Sequence, residues 1–306
     1  MTKDIIKKLS SQGCIILENE PLSKHSSFNI GGPADFFINI PNEHALKAFL
    51  NENLDFFILG GGTNILFSDD GYRGIVIKLV DEFEKFSITG NEGPMTRGTL
   101  PQISCGSGAH MVSVMRAAAE NGLSGLECCA GIPGTIGGSV FGNAGGKDCW
   151  IGDIVESVEI YKKAESGKWK VEILKKDDID FKYRSSGLEN CVITKINFTL
   201  KKEAENDILK KVSYSIEKRR KSQPLGVPNA GCVFKNPAGL SAGKLIDDAG
   251  LKGKKKGGAE ISEVHANFIV NNGNAKASNV LDLIYAARKT VKEKFNIDLE
   301  LEIKIL

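Results

Sequence analysis

Where the glycines gather most constrains what this chain can build. Cys128 to Gly146 reads CCAGIPGTIGGSVFGNAGG, and Gly60-Gly61-Gly62-Thr63-Asn64 directly follows the apolar run Phe56 to Leu59. Glycine supplies 34 of 306 residues, about 11% against a usual 7% or so. Without a Cβ, backbone approaches a ligand closely and turns successive N–H groups into one concavity. The Gly60 to Asn64 run is therefore either a nest for a phosphate or pyrophosphate, with Thr63 and Asn64 adding side-chain donors, or a loose turn. In the longer run, Ile132 and Ile136 between the glycines imply a partly buried loop. An apolar loop rich in backbone N–H suits a flat aromatic cofactor with a phosphate tail. The plainer reading is a glycine-rich bend under a sheet.

Length sets a prior of about two domains, with three small ones possible. Net charge is +2, which gives no electrostatic support to nucleic-acid binding, so no such partner is expected. The first twenty residues are too polar for a signal peptide. No apolar run reaches the ~18 residues of a membrane span, so no membrane association is expected. Seven cysteines, odd in number and irregular in spacing, suggest neither a zinc site nor a disulfide framework and point to a reducing cytoplasm. No metal is expected.

Hydrophobic periodicity divides the chain into three α+β segments, 1–80, 81–215 and 216–306. Residues 21–80 read as strand, helix, strand, turn and strand, with Asn42 as a helix cap. The middle segment is strand-rich. It has a strand at Leu100 to Gly106, a helix at His110 to Asn121 closed by Gly122, and an alternating strand at Val192 to Leu200. The last third reads strand (Gly231 to Phe234), helix (Ala242 to Ala249), basic loop (Lys252 to Gly258) and strand (Ala266 to Val270). A helix (Ser278 to Lys294) and a strand (Leu299 to Ile305) close it. No GxGxxG stands between a strand and a helix, and AGLSAGKL (Ala238 to Leu245) lacks the first glycine and the Ser/Thr of a P-loop. The four histidines lie far apart.

The order of segments is HSSFNIGGPADFF, ILGGGTNILFSDDGYRGIVIKL, AGIPGTIGGSVFGNAGG, KYRSSG, QPLGVPNAGCVFKNP, LIDDAGLKG, HANFIVN and LELEIKI. In this order they closely resemble the UDP-N-acetylenolpyruvoylglucosamine reductase family, over about residues 21 to 306. The resemblance implies a vanillyl-alcohol-oxidase-type FAD-binding fold of two α+β subdomains plus a C-terminal α+β substrate domain. It implies FAD as cofactor and NADPH as hydride donor. The implied substrate is UDP-N-acetylglucosamine-enolpyruvate, reduced to UDP-N-acetylmuramate for peptidoglycan. A monomer is expected. No insertion stands between Arg184 and Pro237, so the chain resembles the shorter subtype, which has no tyrosine-bearing loop.

The resemblance also implies site residues. For FAD these are Gly60, Gly61, Gly62, Thr63 and Asn64 on one wall. Gly131, Ile132, Pro133, Gly134, Thr135, Gly137, Gly138 and Ser139 form the other. Gly31-Gly32 and Asn143 to Gly145 are weaker members. Arg184 in KYRSSG matches the catalytic arginine, whose guanidinium can fork onto a carboxylate and stays charged as an enolate forms. Glu302 matches the catalytic glutamate. Alternation alone would put it on a solvated strand face, and Glu300 is its rival if the register is off by two. Cys232 stands where the family has a serine proton donor; a thiol, with reference pKa near 8.5, is a far stronger acid than an alcohol. A buried structural cysteine is the plainer reading. Lys235, Asn236 and His265 match substrate-side positions, and Gln223 is a weaker one. The run Lys252 to Lys256 either steers the diphosphate or is a solvated loop. Two other readings are a flavin-dependent alcohol or sugar oxidase of the same fold, and a non-catalytic UDP-sugar or flavin binder. The NAGC, KNP, HANFIVN and LELEIKI segments oppose the first; Arg184 and Glu302 oppose the second.

Overall fold

Strands that alternate apolar and polar residues need a covered face, and residues 155–199 supply the centre of such a sheet. The computed structural model describes residues 1–90, 101–146 and 149–306. These divide into two compact units.

The first unit comprises Met1–Leu17, Phe37–Gly61 and Val76–Glu217. Its five-stranded antiparallel sheet has the order Trp169–Lys175, Val155–Lys163, Cys191–Thr199, Gln102–Gly106, Phe86–Thr89. Ile196 pairs with Val158 and with Cys105, and all three are fully buried. The helix Met111–Glu120 adds Val114, Met115 and Ala118 to the same core. Of the strand expected from Leu100, Gln102–Gly106 is observed, and Leu100 itself lies outside the described residues.

The second unit comprises Glu18–Phe36, Gly62–Ile75 and Lys218–Leu306. Its four-stranded antiparallel sheet has the order Asn229–Cys232, Phe268–Asn271, Ala259–Ile261, Lys255–Lys256. The helix Ala277–Phe295 buries Val280, Leu283, Ile284, Ala287 and Val291, the i, i+3, i+4 stripe of a one-sided helix. Asn296 ends that helix in the left-handed conformation (φ 56°), where asparagine is tolerated. Phe28, Ile30 and Leu66 come from distant segments to complete this core. A further sheet orders Ile15–Pro21, Pro33–Ile40, Tyr72–Leu79 and Phe56–Ile58, and the division between the units falls inside the first three of these strands. Among the described residues no helix is long and apolar enough to cross a membrane.

Four local expectations change. The strand Ile15–Pro21 follows the first helix, in a stretch where the sequence reading places no strand because its alternation is weak. The glycine-dense loop contains a helix, Ile136–Phe141, because Thr135 caps it by accepting a hydrogen bond from Gly138 N–H. The terminal strand expected from Leu299 is regular only at Lys304–Ile305, parallel to Ile65–Leu66. Upstream of that pair, Leu301 makes an isolated bridge to Phe234. Cys128 and Cys149 form a disulfide with Cα atoms 6.2 Å apart, against the expectation of none. Odd count and irregular spacing do not exclude a single bond between residues the fold brings within bridging range.

Asp69, in a turn of the second unit, accepts hydrogen bonds from Ala277 N–H (2.6 Å) and Ser278 N–H (3.0 Å). It therefore caps the first turn of the Ala277–Phe295 helix from outside that helix. Burial alone would raise the Asp69 carboxyl; the hydrogen bonds from the Ser278 and Ala277 backbone outweigh it, and the pKa is lowered. Asp69→Ala should cost about 1 kcal/mol of stability, the usual worth of a helix cap. A lowered folded pKa means that this contribution is present above the unfolded carboxyl value of about 3.9 and lost as pH falls through the folded one. Urea unfolding of both proteins at pH 7 and below pH 3 checks it: the difference should be present at the first pH and shrink at the second.

Candidate active site

In the first unit, two glycine segments meet backbone to backbone. A Cβ on Gly60 would lie 2.9 Å from Thr135 Oγ1, and one on Gly61 would lie 2.7 Å from Gly134 Cα. A Cβ on Gly137 would lie 2.6 Å from Ser107 Cβ. These approaches are closer than any side chain permits, so glycine is required by contact as well as by flexibility. The Gly137 N–H already donates to Ser107 O (2.8 Å), and the Gly138 N–H donates to Thr135 Oγ1 (3.2 Å). These two glycines therefore serve by letting backbone come close. Ser139 is buried within the short helix, and Ile132 packs against the core. Gly131 and Gly134 both have positive φ (76° and 122°). Pro133 between them is exposed.

The chain passes from the first unit to the second between Gly61 and Gly62. Gly62 has φ 64°, and a Cβ there would lie 1.9 Å from His25 O. Its carbonyl accepts from Ser27 N–H. Thr63 is half-buried. Asn64 Nδ2 donates to Glu302 O (3.2 Å), and Asn64 O accepts from Lys304 N–H. Thus the tail of this loop is tied to the C-terminal segment.

Arg184 belongs to the first unit and lies in a turn closed by the Lys182–Ser185 bridge. Its φ is 60°, an uncommon place for a long side chain and one that must be held by its surroundings. Asn143 Nδ2 donates to Lys182 O (2.9 Å), and Ser186 Oγ donates to Phe141 O (2.9 Å). Arg184 Nη1 donates to Gly145 O (3.4 Å), and the guanidinium carbon lies 5.4 Å from the Trp150 ring centroid. The same glycine-dense stretch that meets Gly60 and Gly61 therefore holds the arginine. Cys149, joined to Cys128, directly precedes Trp150.

Cys232, Glu302, Lys235 and His265 come together in the second unit. Asn229 pairs with Val270 and Cys232 with Phe268, so three residues on one strand span two on the other. This is a β-bulge, and Gly231 provides its positive φ of 77°. Its effect is to turn Cys232 to the sheet face that Asn229 shares, where regular alternation would put it on the other. Gly231 N–H donates to Asn229 Oδ1 (2.9 Å), which holds the bulge. Beyond Cys232, Val233 O accepts from Glu302 N–H (2.8 Å), and Lys235 N–H donates to Glu300 O (2.8 Å). Glu302 is half-buried; Glu300 is exposed and paired with Lys235 Nζ (2.5 Å). Asn236 Oδ1 accepts from Ala242 N–H, at the start of the next helix. Gln223 stands at the end of the Glu205–Ser222 helix, with its N–H on Arg219 O.

His265 is half-buried, and its Nδ1 accepts from Asn267 N–H (3.2 Å). That bond leaves the proton of the neutral ring on Nε2. Burial pushes its pKa down, a backbone hydrogen bond opposes, and the charge of Lys252 pushes the same way as burial. In the basic loop, Lys252 pairs with Asp247, Lys255 with Glu260 and Lys256 with Asp282. Much of this run's charge is thus met within the unit. Asn143, Ser186 and Asn267 were not singled out as individual side chains by sequence reasoning. The available signal was a polar residue amid apolar ones in HANFIVN, since buried polar groups are hydrogen-bonded.

Glycine segments in the first unit, and a thiol, a carboxylate and an imidazole in the second, stand within two matched domains that make the chain a flavin-dependent oxidoreductase. The two glycine segments fit FAD as a backbone wall, because Gly60, Gly61 and Gly134 are only half-buried and carry no side chain, so a cofactor there would meet main chain. A family model described as FAD binding domain matches residues 43–169. One described as UDP-N-acetylenolpyruvoylglucosamine reductase, C-terminal domain, matches residues 223–306. The UDP-N-acetylenolpyruvoylglucosamine reductase of Lachnoclostridium phytofermentans is 40% identical, covering 94% of this chain and 92% of its own. That of Bacillus licheniformis is 36% identical, covering 95% and 94%. The crystal structure of the Thermus caldophilus enzyme superposes with a TM-score of 0.80 at 34% identity, covering 95% of this chain and 98% of that one. The chain belongs to the UDP-N-acetylenolpyruvoylglucosamine reductase family. Its fold is that of the family, an FAD-binding domain with a C-terminal domain, and its cofactor is FAD.

Gly61→Ala would push backbone against Gly134, which has no side chain to move aside. The variant should purify with a lower flavin-to-protein absorbance ratio, with FAD binding weakened by about tenfold or more, the scale of a 1–3 kcal/mol overpacking cost. Titration of the apoprotein with FAD checks it.

Proposed function

We propose that this protein reduces the enolpyruvyl group of UDP-N-acetylglucosamine-enolpyruvate to the lactyl ether, giving UDP-N-acetylmuramate for peptidoglycan synthesis. The observation that carries the reading is the bulged Cys232 strand hydrogen-bonded through Val233 to the Glu302 segment. An oxidase of the same cofactor fold would need no such unit.

Bound FAD supplies the hydride, which comes from NADPH. As hydride reaches the methylene carbon of the enol ether, negative charge develops on the adjacent carbon and spreads into the substrate carboxylate. Arg184 is the fixed positive charge for that carboxylate, always protonated and held by Gly145 O and the Trp150 ring. Cys232 Sγ gives its proton to the adjacent carbon; the thiolate left behind regains a proton from solvent. Glu302, on the neighbouring segment, is the acid–base partner. His265 offers Nε2–H to the UDP-sugar, with Lys235 and Asn236 beside it. The site works in the cytoplasm, where the nucleotide sugar and NADPH are made.

The test is anaerobic. One equivalent of NADPH should bleach the flavin absorbance, and the enolpyruvyl UDP sugar should restore it without air. Cys232→Ser should keep substantial turnover. Cys232→Ala should slow the second half-reaction by roughly a hundredfold, the usual worth of a positioned general acid. Absorbance that returns only on admitting oxygen would overturn the reductase reading. An alanine variant restored at the parent rate would remove Cys232 as donor.

A further inference from the structure

We infer that Asn267 is a positioning residue for the second half-reaction, holding the Cys232 thiol and Glu302 in register with each other. The inference rests on the reading of Cys232 as proton donor. The side chain of Asn267 bonds both polar groups of one peptide neighbour: Oδ1 accepts from Phe234 N–H (2.9 Å), and Nδ2 donates to Phe234 O (2.8 Å). Its main-chain carbonyl accepts from Val233 N–H (2.8 Å). Cys232↔Phe268 is the last registered pair of the two strands. Beyond it the partner chain turns away, with Phe268 N–H donating back to His265 O. Asn267 therefore completes with its side chain a ladder that the backbone has stopped making.

The geometry on the other side of the same dipeptide gives this its meaning. Val233 O accepts from Glu302 N–H (2.8 Å), and Lys235 N–H donates to Glu300 O. Residues 233–235 are thus gripped by Asn267 on one side and the 300–303 segment on the other. Cys232 is covalently attached at one end. His265 joins the arrangement because its Nδ1 accepts from Asn267 N–H. The Asn267 side chain, 3% exposed, fixes Phe234, while the Asn267 main chain ties in Val233 and the imidazole. Two adjacent buried peptide groups would be orphaned without it, and the strand would be free to move by the fraction of an ångström that a proton transfer notices.

Asn267→Asp keeps shape and acceptor but sets a carboxylate oxygen against Phe234 O. Asn267→Ser removes more bulk but keeps a neutral hydroxyl and adds no charge, and it carries the test if the aspartate variant does not fold. Both are made as holoprotein and read by anaerobic stopped flow. Flavin bleaching by NADPH should stay within about twofold of the parent. Restoration by saturating enolpyruvyl UDP sugar should slow by about tenfold or more, with KM changed by less than about threefold. The solvent deuterium isotope effect on restoration should rise, because proton delivery becomes limiting. A variant that merely loosens the fold would lose both half-reactions together with bound flavin, and that result overturns the inference. So does a raised KM with restoration unchanged. Cys232→Ala, run alongside, separates the two claims. If it restores at the parent rate, the donor reading fails. If it is slow while the Asn267 variants are fast, the positioning inference alone fails.

Discussion

The chemistry assigned to the second unit hangs on the peptide groups of one buried pair, Val233–Phe234. Their four polar groups reach Asn267 on one side and the Glu302 segment on the other. Buried peptide groups must be paired, so the pairing fixes where the neighbouring thiol and carboxylate stand. The flanking devices serve the same end. Asn229 holds the bulge before Cys232, and Asn236 caps the helix after it. Three asparagines within or against one short segment do the work that regular secondary structure does elsewhere.

The first unit meets a different demand with a related solution. Its glycines bring backbone to backbone at Gly61 and Gly134, an approach that a side chain at Gly61 would not allow. The stretch then continues to Asn143 and Gly145, which hold the turn bearing Arg184. The close-packed glycines and the support of the charged side chain thus come from one run of sequence. A left-handed backbone at a long side chain is tolerated because its neighbours leave it no alternative.

Much of this was legible in the sequence, for reasons that differ by element. Asn42 before an apolar-periodic run gave a capped helix because capping is local, and Asn42 Oδ1 accepts from Ala45 N–H. The helices Met111–Glu120 and Ala277–Phe295 followed from period alone. The glycine runs pointed to close backbone approach, but the helix inside the second run was hidden by residues of low helix propensity; the Thr135 cap and the burial of Ile136 and Val140 support it. The terminal segment alternates perfectly and yet pairs residue by residue with two different neighbours, which periodicity does not encode. Asn267 was visible as a letter in HANFIVN, but its bonds reach residues 33 positions away. The disulfide was invisible for the same reason, being a fact of distance between chain-remote cysteines.

The bulge at Gly231 makes backbone conformation, more than the identity of the side chain after it, the feature that evolution and engineering must preserve here. Serine or cysteine at residue 232 changes the acidity of one group and leaves the architecture alone. A substitution that straightened the bulge at unchanged length would restore regular alternation, and every downstream side chain of the strand would change faces. Phe234, fully packed in the core, would be carried toward the open side, and residue 232 toward the core. Substitution at residue 232 is therefore a graded experiment, whereas one that straightens the backbone at residue 231 is an all-or-none one.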